Sequence, residues 1–376
     1  MLNPWAAWRE ASRIGAAARA GEATGERESA RALVMRHGWN TVACQIVNPG
    51  LRYWFSPDQM AVVGFVEAGR AWVAAGEPVG PPDQVVAAAE AFAAAAARQG
   101  RRVIYFGAQA PLAEQLQARS PLARLAIGAQ PVWNPGDWPA LVSRVASLRA
   151  QIGRARNKGV TVAPLPAEGA ARHPEVRRCL VEWLATRGLP PMRFLVTPDV
   201  LAAPAGRRVF VARREGVVVA YLVATPVPAR QGWLVEQIVR GHHAPNGVSE
   251  LLIDTAMRAL AAESAPWLTL GLAPLARMTG AHAPEPSAAV RLLLERLRVW
   301  GERFYNFAGL EAFRARLHPQ AWEPVYLLSH ERRTSLATLY AVAAAFGGAP
   351  PPLFAGRALL RRLKLTTKAP ELRSIM

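Results

Sequence analysis

Short apolar runs bounded by Asn, Pro, Gly or Asp fill residues 39–75 and predict four successive β-strands. The runs are VACQIV, LRYWFS, MAVVGFVEA and RAWVAAG. An alanine-rich stretch over residues 82–99, ended by Gly100, predicts a helix, and RRVIYFGA then predicts a further strand. A strand meander followed by helix, strand and helix indicates an α/β unit that ends near Trp138.

A basic helix is predicted over residues 143–158. Val145, Leu148, Ile152 and Ala155 are spaced three, four and three apart, so they form one apolar stripe. The remaining faces of this helix are rich in cations, which include Arg149, Arg154, Arg156 and Lys158.

The second half of the chain has a predicted order of strands and helices similar to that of the first. The predicted elements are a helix over 175–187, strands near 207–213, 217–225 and 232–239, a helix over 248–263, a strand over 267–272 and a helix over 287–300. The pattern predicts an α/β (α+β) fold with meandering, mixed sheets flanked by helices. No residue-level repeat is visible, so duplication is a hypothesis only.

The length of 376 residues suits two domains of ordinary size. The predicted division is a basic, alanine-rich segment 1–30, a first domain 31–142, the interdomain helix 143–159, a second domain 160–330, and a tail 331–376. The tail contains a helix, a Pro-rich hinge and the basic amphipathic stretch RALLRRLKLTTK at 357–368. That stretch indicates either a membrane-surface contact or a terminal helix with a solvated basic face.

Charge narrows the classes of partner. The chain has 45 Lys and Arg against 27 Asp and Glu, a formal charge of +18, while 51% of its residues are hydrophobic. This mixture argues against a disordered, basic tail-like protein and indicates a packed protein with a positive surface. Such a surface attracts nucleic acid backbones or anionic lipid head groups, and composition does not choose between them.

Targeting and redox features favour the cytosol. The first thirty residues lack a continuous apolar core, and the longest uncharged stretch, residues 334–356, is broken by Gly-Gly and Pro-Pro-Pro. We therefore expect neither a secretory signal nor a membrane span. The two cysteines, Cys44 and Cys179, lie far apart in sequence and predict neither a disulfide framework nor a zinc site.

The strand, loop, helix and strand over residues 232–272 form the strongest candidate site. In an α/β acyltransferase, a loop before a helix holds the acyl donor or its phosphates. An acetyl-CoA enzyme of the GNAT type would place a glycine-rich turn here, whereas this chain has RGHHAPNG at 240–247, in which Pro245 lacks an amide donor. The coenzyme A interpretation is weakened accordingly.

Acidic and basic side chains surround this loop. Glu236, between apolar strand residues, needs a partner if buried, and Arg240 is the nearest cation in sequence. Glu250 and Asp254 share a helix face, where they would bind a cationic amino group or, alternatively, favour the helix dipole and pair with Arg258 in solvent.

Sequence patterns for metal-dependent or nucleophilic catalysis are weak or missing. His242 and His243 are adjacent in a turn without a third ligand in view, which is a weak metal pattern, so we expect no metal. The chain has no Gly-x-Ser-x-Gly, His-Glu-x-x-His or Walker motif. Catalysis by positioning and electrostatic stabilisation is the remaining option.

Four ordered runs carry a family resemblance. They are RYWFSPDQMAVVGFVEAGRAWVAAGEPVGPP at 52–82, SLRAQIGRARNKGV at 147–160, APNGVSELLIDTAM through LTLGLAPLA at 244–276, and FYNFAGLEAFRARLHPQAWEPVYL at 304–327. Together they resemble the phosphatidylglycerol lysyltransferase C-terminal domain family, the soluble part of multiple peptide resistance factor proteins. The resemblance covers about residues 31–330.

The resemblance implies tandem GNAT-like acyltransferase domains. It also implies transfer of an amino acid, most often lysine or alanine, from aminoacyl-tRNA to the glycerol hydroxyl of phosphatidylglycerol. Aminoacyl-tRNA would be a co-substrate, no other cofactor is expected, and the second partner would be an anionic phospholipid surface. The implied location is cytoplasmic, peripheral to the inner face of the cell membrane.

The resemblance also suggests site residues. Glu236 and Arg240 match a strand-borne acid and arginine implied to be catalytic, although the family commonly has Asp with Arg three residues on. Implied substrate-binding residues are Asn246, Gly247, Glu250, Arg314, Arg316 and Glu323, and the tRNA phosphates would contact Arg149, Arg154, Arg156 and Lys158. The competing functions are a coenzyme A-dependent N-acyltransferase and a non-enzymatic membrane or RNA adaptor on the same fold.

Overall fold

The computed structural model describes residues 22–186, 192–274 and 307–348, with residues 350, 351 and 353. Its helices are α1 Glu22–His37, α2 Val85–Arg98, α3 Ala110–Gln117, α4 Trp138–Arg144, α5 Ala146–Asn157, α6 Ala167–Arg172, α7 Pro174–Ala185, α8 Val248–Ala262, α9 Phe307–Ala315 and α10 Leu336–Gly347. Its strands are β1 Arg52–Phe55, β2 Val62–Ala68, β3 Ala71–Ala75, β4 Arg102–Ala108, β5 Ala123–Trp133, β6 Val160–Leu165, β7 Arg208–Arg214, β8 Val217–Val227, β9 Gly232–Arg240, β10 Trp267–Thr269, β11 Ala273–Pro274 and β12 Ala321–Ser329.

The described strands form one mixed sheet, and the order is β1-β2-β3-β4-β12-β5-β10-β9-β8-β7-β6, with β11 against β5. In the first half, the antiparallel meander β1-β2-β3 is followed by α2 and by β4, which runs parallel to β3. In the second half, β7-β8-β9 is followed by α8 and by the parallel strand β10. The predicted fold class, α/β (α+β) with a mixed sheet flanked by helices, is confirmed.

Strand β12 joins the two halves of the sheet. The sequence pattern groups it with the second domain, 160–330, yet it lies between β4 and β5, where Tyr326 pairs with Ala108 and Glu323 with Gln130. The division into two domains stays a prediction. What the topology establishes is that Glu323 lies at the centre of the sheet, beside residues from the first half of the chain.

One predicted strand is wrong. The run VACQIV forms a 3₁₀ helix over Ala43–Val47 instead, and its first four residues are all buried. A short apolar run has the same pattern in a buried strand and in a buried helical turn, so periodicity does not distinguish them. The polar side chain of Gln45 is buried because it binds the carboxylate of Glu236.

The predicted basic helix 143–158 is divided into α4 and α5 at Val145, which has extended backbone angles. Leu148, Ile152 and Ala155 are buried, so the predicted apolar stripe is confirmed for α5. This stripe packs against α8, whose inner residues include Leu252 and Met257. The predicted helix 287–300 and the basic stretch 357–368 lie outside the described residues.

Within the described ranges, every helix is too short or too polar to span a bilayer.

Candidate active site

Glu236 lies at a bulge in the middle of β9. On the neighbouring strand, Val223 pairs with Gln237 and Ala224 pairs with Val235, so Glu236 has no residue directly opposite. A bulge inserts one extra residue and redirects its side chain, and bulges are common beside active sites. The Glu236 side chain is only 2% exposed.

Four side chains satisfy the buried Glu236 carboxylate. Oε1 accepts hydrogen bonds from Gln45 Nε2 at 3.2 Å and Asn48 Nδ2 at 3.3 Å. Oε2 accepts from Arg207 Nε at 3.1 Å and from Thr225 Oγ1 at 2.5 Å. We call these five residues the Glu236 cluster. The negative charge is balanced by a guanidinium that is equally buried, as a desolvated carboxylate requires.

The expected partnership of Glu236 with Arg240 is wrong. Arg240 is exposed at the end of β9, and its Nη2 donates to the carbonyl oxygens of Ala244 at 3.2 Å and Pro245 at 3.4 Å. Residues four apart on a strand are separated by about 13 Å, which is too far for a direct ion pair between these side chains. Proximity in sequence therefore selected the wrong arginine.

A second carboxylate, the half-buried Glu323 on β12, lies where the two halves of the sheet meet. Both of its oxygens accept from Arg230 Nη1 at 2.9 Å. Oε2 also accepts from Gln109 at 3.1 Å and Gln130 at 2.8 Å, while Oε1 accepts from Trp267 Nε1 at 3.3 Å. Glu323 remains 30% exposed, so it is the more accessible of the two carboxylates.

Arg230 is held between two indole rings. Its guanidinium carbon lies 3.8 Å from the ring centroid of Trp39 and 4.5 Å from that of Trp267. Contact with two rings restricts the guanidinium, and the negative ring faces stabilise its charge. Arg230 therefore approaches Glu323 in a restricted orientation.

Glu77 adds a second carboxyl group to this region. It follows β3, and its Oε1 accepts from the backbone amide of Gln109 at 2.5 Å. Burial raises the pKa of the Glu77 carboxyl to about 7, and the hydrogen bonds from Gln109 and Asn40 and the charge of Arg230 oppose this rise. We call Glu77, Gln109, Gln130, Arg230, Trp267 and Glu323 the Glu323 cluster. It holds two carboxyl groups around one guanidinium.

Residues 40–48 connect the two clusters. Thr41 Oγ1 donates to Gln130 Oε1 at 2.7 Å, while Gln45 and Asn48 donate to Glu236. This segment contains residues 42–47, the run predicted as a strand. As a turn and a 3₁₀ helix, it presents three polar side chains to two different carboxylate sites.

The start of α8 is covered by α5. Gly247 caps α8 with φ +90°, and a Cβ atom there would lie 2.1 Å from the carbonyl oxygen of Gln151. The N-terminus of such a helix is where an acyltransferase of the coenzyme A type would hold phosphates. Asn246 is exposed beside it, and Glu250 is half-buried in the first turn.

A cavity of about 370 Å³ opens between α4, α5 and α8, and arginines line it. Asp254, buried at its edge, accepts from Trp138 Nε1 at 3.0 Å, Arg156 Nη2 at 2.9 Å and Arg258 Nε at 2.9 Å. Arg149 also lines the cavity. Asp254 pairs with Arg258 as expected. The expectation that this pair lies in solvent is wrong, because the Asp254 carboxylate is buried.

The remaining candidate residues are dispersed. Arg154 on α5 and Lys158, directly after it, are exposed. Arg314 on α9 is buried and donates to the Leu270 carbonyl oxygen at 2.6 Å, whereas Arg316 is exposed. His242 lies in the loop before α8, and no group of acidic, His or Cys side chains suited to a metal ion occurs among the described residues.

Arg207, Arg230, Gln109, Gln130 and Trp267 were not recognised as site residues from sequence. Arg230 lies in a turn between two strands, where the sequence pattern alone predicts a solvated side chain. Its contact with Glu323 spans 93 positions, and Gln130 contacts Glu323 across 193. The apolar neighbours of Glu236 indicate that it needs a buried cation, but the sequence does not show which arginine supplies it.

Sequence comparison with known families decides the relationship. The phosphatidylglycerol lysyltransferase C-terminal family matches residues 31–329. The chain belongs to this family. The match includes both carboxylate clusters, the loop before α8 and the basic helix α5, and it ends at the last residue of β12. The family is one of lysylphosphatidylglycerol synthetases, which are transferases.

Solved structures share the fold of this family member. The C-terminal domain of a candidate lysylphosphatidylglycerol synthetase from Agrobacterium fabrum has 24% identity and a TM-score of 0.73, with 87% of this chain and 98% of that chain covered. L-PGS from Bacillus licheniformis has 18% identity and a TM-score of 0.69, with 88% and 97% covered. No curated protein matches the chain significantly.

Proposed function

We propose that this family member transfers an amino acid, lysine or alanine, from aminoacyl-tRNA to the glycerol hydroxyl of phosphatidylglycerol or a related lipid at the inner membrane surface. The arginine-lined cavity around Asp254, beside the basic face of α5, is the observation that supports aminoacyl-tRNA as the amino-acid donor. Family membership supports the lipid part.

The cavity has the charge and the geometry that a phosphate group requires. Arg149, Arg156 and Arg258 contribute three positive charges, and Asp254 offsets one of them. The buried Asp254 carboxylate orients two of the guanidinium groups before any ligand arrives. Planar guanidinium groups held in this way suit phosphate oxygens. The exposed Arg154 and Lys158 would extend the contact along the tRNA acceptor backbone.

The Glu323 cluster is the proposed site for the amino group of the aminoacyl ester. When Glu77 is ionised, the two carboxylates and the single Arg230 guanidinium leave one negative charge uncompensated. An incoming ammonium group would offset that charge in a region of low dielectric constant. Glu323 is the accessible carboxylate of the cluster, so we assign the direct contact to it.

Glu236 takes a positioning role in this proposal. Its side chain is 2% exposed and its charge is already balanced by Arg207, so a substrate amino group cannot reach it without displacing buried side chains. Glu323 also accepts several side-chain hydrogen bonds, but its side chain is 30% exposed. The pair with Arg207 instead holds the segment 45–48 in place. The exposed Arg240, beside the loop before α8, remains a candidate for contact with the terminal phosphates or with the developing oxyanion.

The reaction needs little covalent assistance. The lipid hydroxyl oxygen attacks the carbonyl carbon of the ester, the bond from that carbon to the tRNA ribose oxygen breaks, and the hydroxyl proton ends on the ribose oxygen. Because the ester is already activated, orientation is the main requirement, and orientation alone supplies up to roughly 7–11 kcal/mol of barrier reduction.

The test is transfer of a radiolabelled amino acid from charged tRNA into phosphatidylglycerol vesicles, followed by mass spectrometry of the lipid product. We expect Glu323→Gln and Arg258→Ala each to lower transfer at least ten-fold. Glu215→Gln, on an exposed hairpin turn, is the matched acidic control and should be unchanged. Full transfer by both site variants would remove their residues from the proposed mechanism.

The two competing functions give different results in the same assay. A coenzyme A-dependent N-acyltransferase would turn over acetyl-CoA without tRNA, although the covered N-terminus of α8 counts against phosphate binding there. An adaptor would bind tRNA and vesicles without transferring any label.

A further inference from the structure

Helix α10 lies outside the region matched by the family, and its composition is unusual for a surface helix. Its sequence, LATLYAVAAAFG, has no charged residue. Ser335 caps it by accepting a hydrogen bond from the Thr338 amide at 3.2 Å. A helix that is apolar on all sides is normally buried or in contact with lipid.

The inner face of α10 packs against the rest of the protein. Ala341, Val342 and Ala345 are buried against the first half of the sheet, where the helix contacts β2 and β3. The Phe346 ring lies 4.9 Å from that of Phe106, centroid to centroid. This face therefore holds the helix on the protein.

The outer face is also apolar, and its larger side chains are exposed. Leu336 is 56% exposed and Tyr340, one turn later, is 49% exposed. Ala337 and Ala343 are exposed on the same side. A surface helix of a soluble domain usually carries charged residues at such positions. Contiguous exposed apolar side chains of this kind mark an interaction surface.

Arginines flank this face at both ends. Arg332 and Arg333 are exposed just before the helix begins. At the other end, the exposed Arg193 donates its backbone amide to the Phe346 carbonyl oxygen at 2.8 Å. The nearby acid, Glu331, is occupied by Arg102 at 2.9 Å and by the helix cap. An apolar face with cations beside it matches the chemistry of an anionic bilayer surface.

We propose that the outer face of α10, with Arg332 and Arg333 beside it, lies on the surface of an anionic phospholipid bilayer. Leu336 and Tyr340 insert among the head groups and upper acyl chains, and the arginines contact lipid phosphates. The choice of lipid rests on the proposed function, but docking can be measured without any transfer reaction.

The experiment uses the full chain and sedimentation with vesicles of phosphatidylglycerol and phosphatidylcholine, or of phosphatidylcholine alone. We expect Leu336→Asp combined with Tyr340→Asp to weaken binding to the anionic vesicles at least ten-fold. Val217→Asp, at another exposed apolar position, is the matched control and should bind as the wild type does. Arg332→Gln with Arg333→Gln should weaken binding about thirty-fold, and only to anionic vesicles.

Folding and transfer are checked separately from docking. The aspartate variant should keep the wild-type circular dichroism spectrum and still transfer amino acid to a short-chain, dispersed phosphatidylglycerol. Loss of vesicle binding with that transfer retained supports the proposal, and absence of transfer in the wild type contradicts the proposed function without affecting the docking result. A folded variant that binds vesicles normally overturns the proposal. So does a wild-type dimer that the variant converts to a monomer, because a second copy would then cover this face.

Discussion

The Arg207 guanidinium and the Glu236 carboxylate form an ion pair of 3.1 Å in which both side chains are 2% exposed. Arg207 Nη2 also donates to Asn48 Oδ1 at 2.8 Å, and Asn48 in turn donates to Glu236. The pair therefore connects the beginning of β7, the bulge of β9 and the 3₁₀ segment. Its geometry depends on residues from three separate parts of the chain.

Removing one partner of this pair should be strongly destabilising. Arg207→Ala leaves the Glu236 carboxylate buried without a countercharge, and we expect a loss of about 3–5 kcal/mol in the free energy of unfolding. Urea denaturation followed by circular dichroism measures it. Arg240→Ala removes an exposed arginine and should change stability by less than about 0.5 kcal/mol. Equal effects of the two substitutions would contradict the buried pair.

Glu77 should make stability depend on pH in a defined direction. Its pKa is about 7 in the folded protein against an ordinary value of 4.5. Between these values the unfolded chain loses the proton while the folded protein keeps it, so stability falls as pH rises and levels off above about pH 7. The full difference is on the order of 3 kcal/mol.

Glu77→Gln removes this titration with little change of shape. Urea denaturation at several pH values from 4 to 8, within the range set by the two pKa values, should show the variant gaining stability relative to the wild type as pH rises. A stability difference that is independent of pH would mean that Glu77 titrates alike in the folded and unfolded states.

The contact of α5 with α8 can be tested at a glycine. Gly247→Ala adds a Cβ atom 2.1 Å from the Gln151 carbonyl oxygen at a position with φ +90°. Gly216→Ala is the matched control, since Gly216 has φ +79° but open space around the added atom. Left-handed backbone costs alanine roughly 1–2 kcal/mol at either site. The clash should cost Gly247→Ala about 1–3 kcal/mol more, measured by urea denaturation. Similar losses in both variants would mean that α5 does not press on the start of α8.

Arg230 should not be replaceable by lysine. Lys keeps the charge but loses the planar group that stacks between Trp39 and Trp267 and bonds both oxygens of Glu323. We expect Arg230→Lys to lower the free energy of unfolding by about 1–3 kcal/mol. Arg208→Lys is the control, because Arg208 also lies over an indole ring, that of Trp233, but its side chain is 40% exposed. Its effect should stay below about 1 kcal/mol. A smaller loss for Arg230→Lys than for this control would contradict the role assigned to the stacked guanidinium.

The arginine cavity predicts a change in salt dependence. Removing one phosphate contact lowers the slope of log affinity against log salt by roughly 0.7–0.9. If Arg156 and Arg258 contact tRNA phosphates, the double variant Arg156→Ala with Arg258→Ala should bind tRNA with a slope lower by about 1.5. Filter binding at several salt concentrations measures the slope. Arg214→Ala, at an exposed arginine on β7, should leave it unchanged; an unchanged slope in the double variant would exclude the cavity as a phosphate site.

Local pattern predicted most of the helices and strands, because alternation and the apolar stripe of α5 depend on neighbours a few residues apart. It failed at residues 43–47, where a buried turn and a buried strand have similar patterns. The family resemblance, not the local pattern, named Glu323 as a site residue, and proximity in sequence paired Glu236 with the wrong arginine. Which arginine pairs with Glu236 depends on the bulge in β9 and on the loop before β7. Neither feature can be recognised from the residues next to Glu236 in the sequence.

The sequence by itself determined the class of fold, the family, the positive surface and the apolar stripe of the basic helix, since these follow from composition, short-range periodicity and ordered motifs. Only the tertiary structure decided that β12 lies between β4 and β5, which brings Glu323 to Arg230, Gln109 and Gln130. It likewise decided that Asp254 is buried among arginines and that the larger side chains on the outer face of α10 are exposed. The physical reason is that burial and pairing of charges depend on contacts between residues tens to hundreds of positions apart, and only the folded chain specifies them.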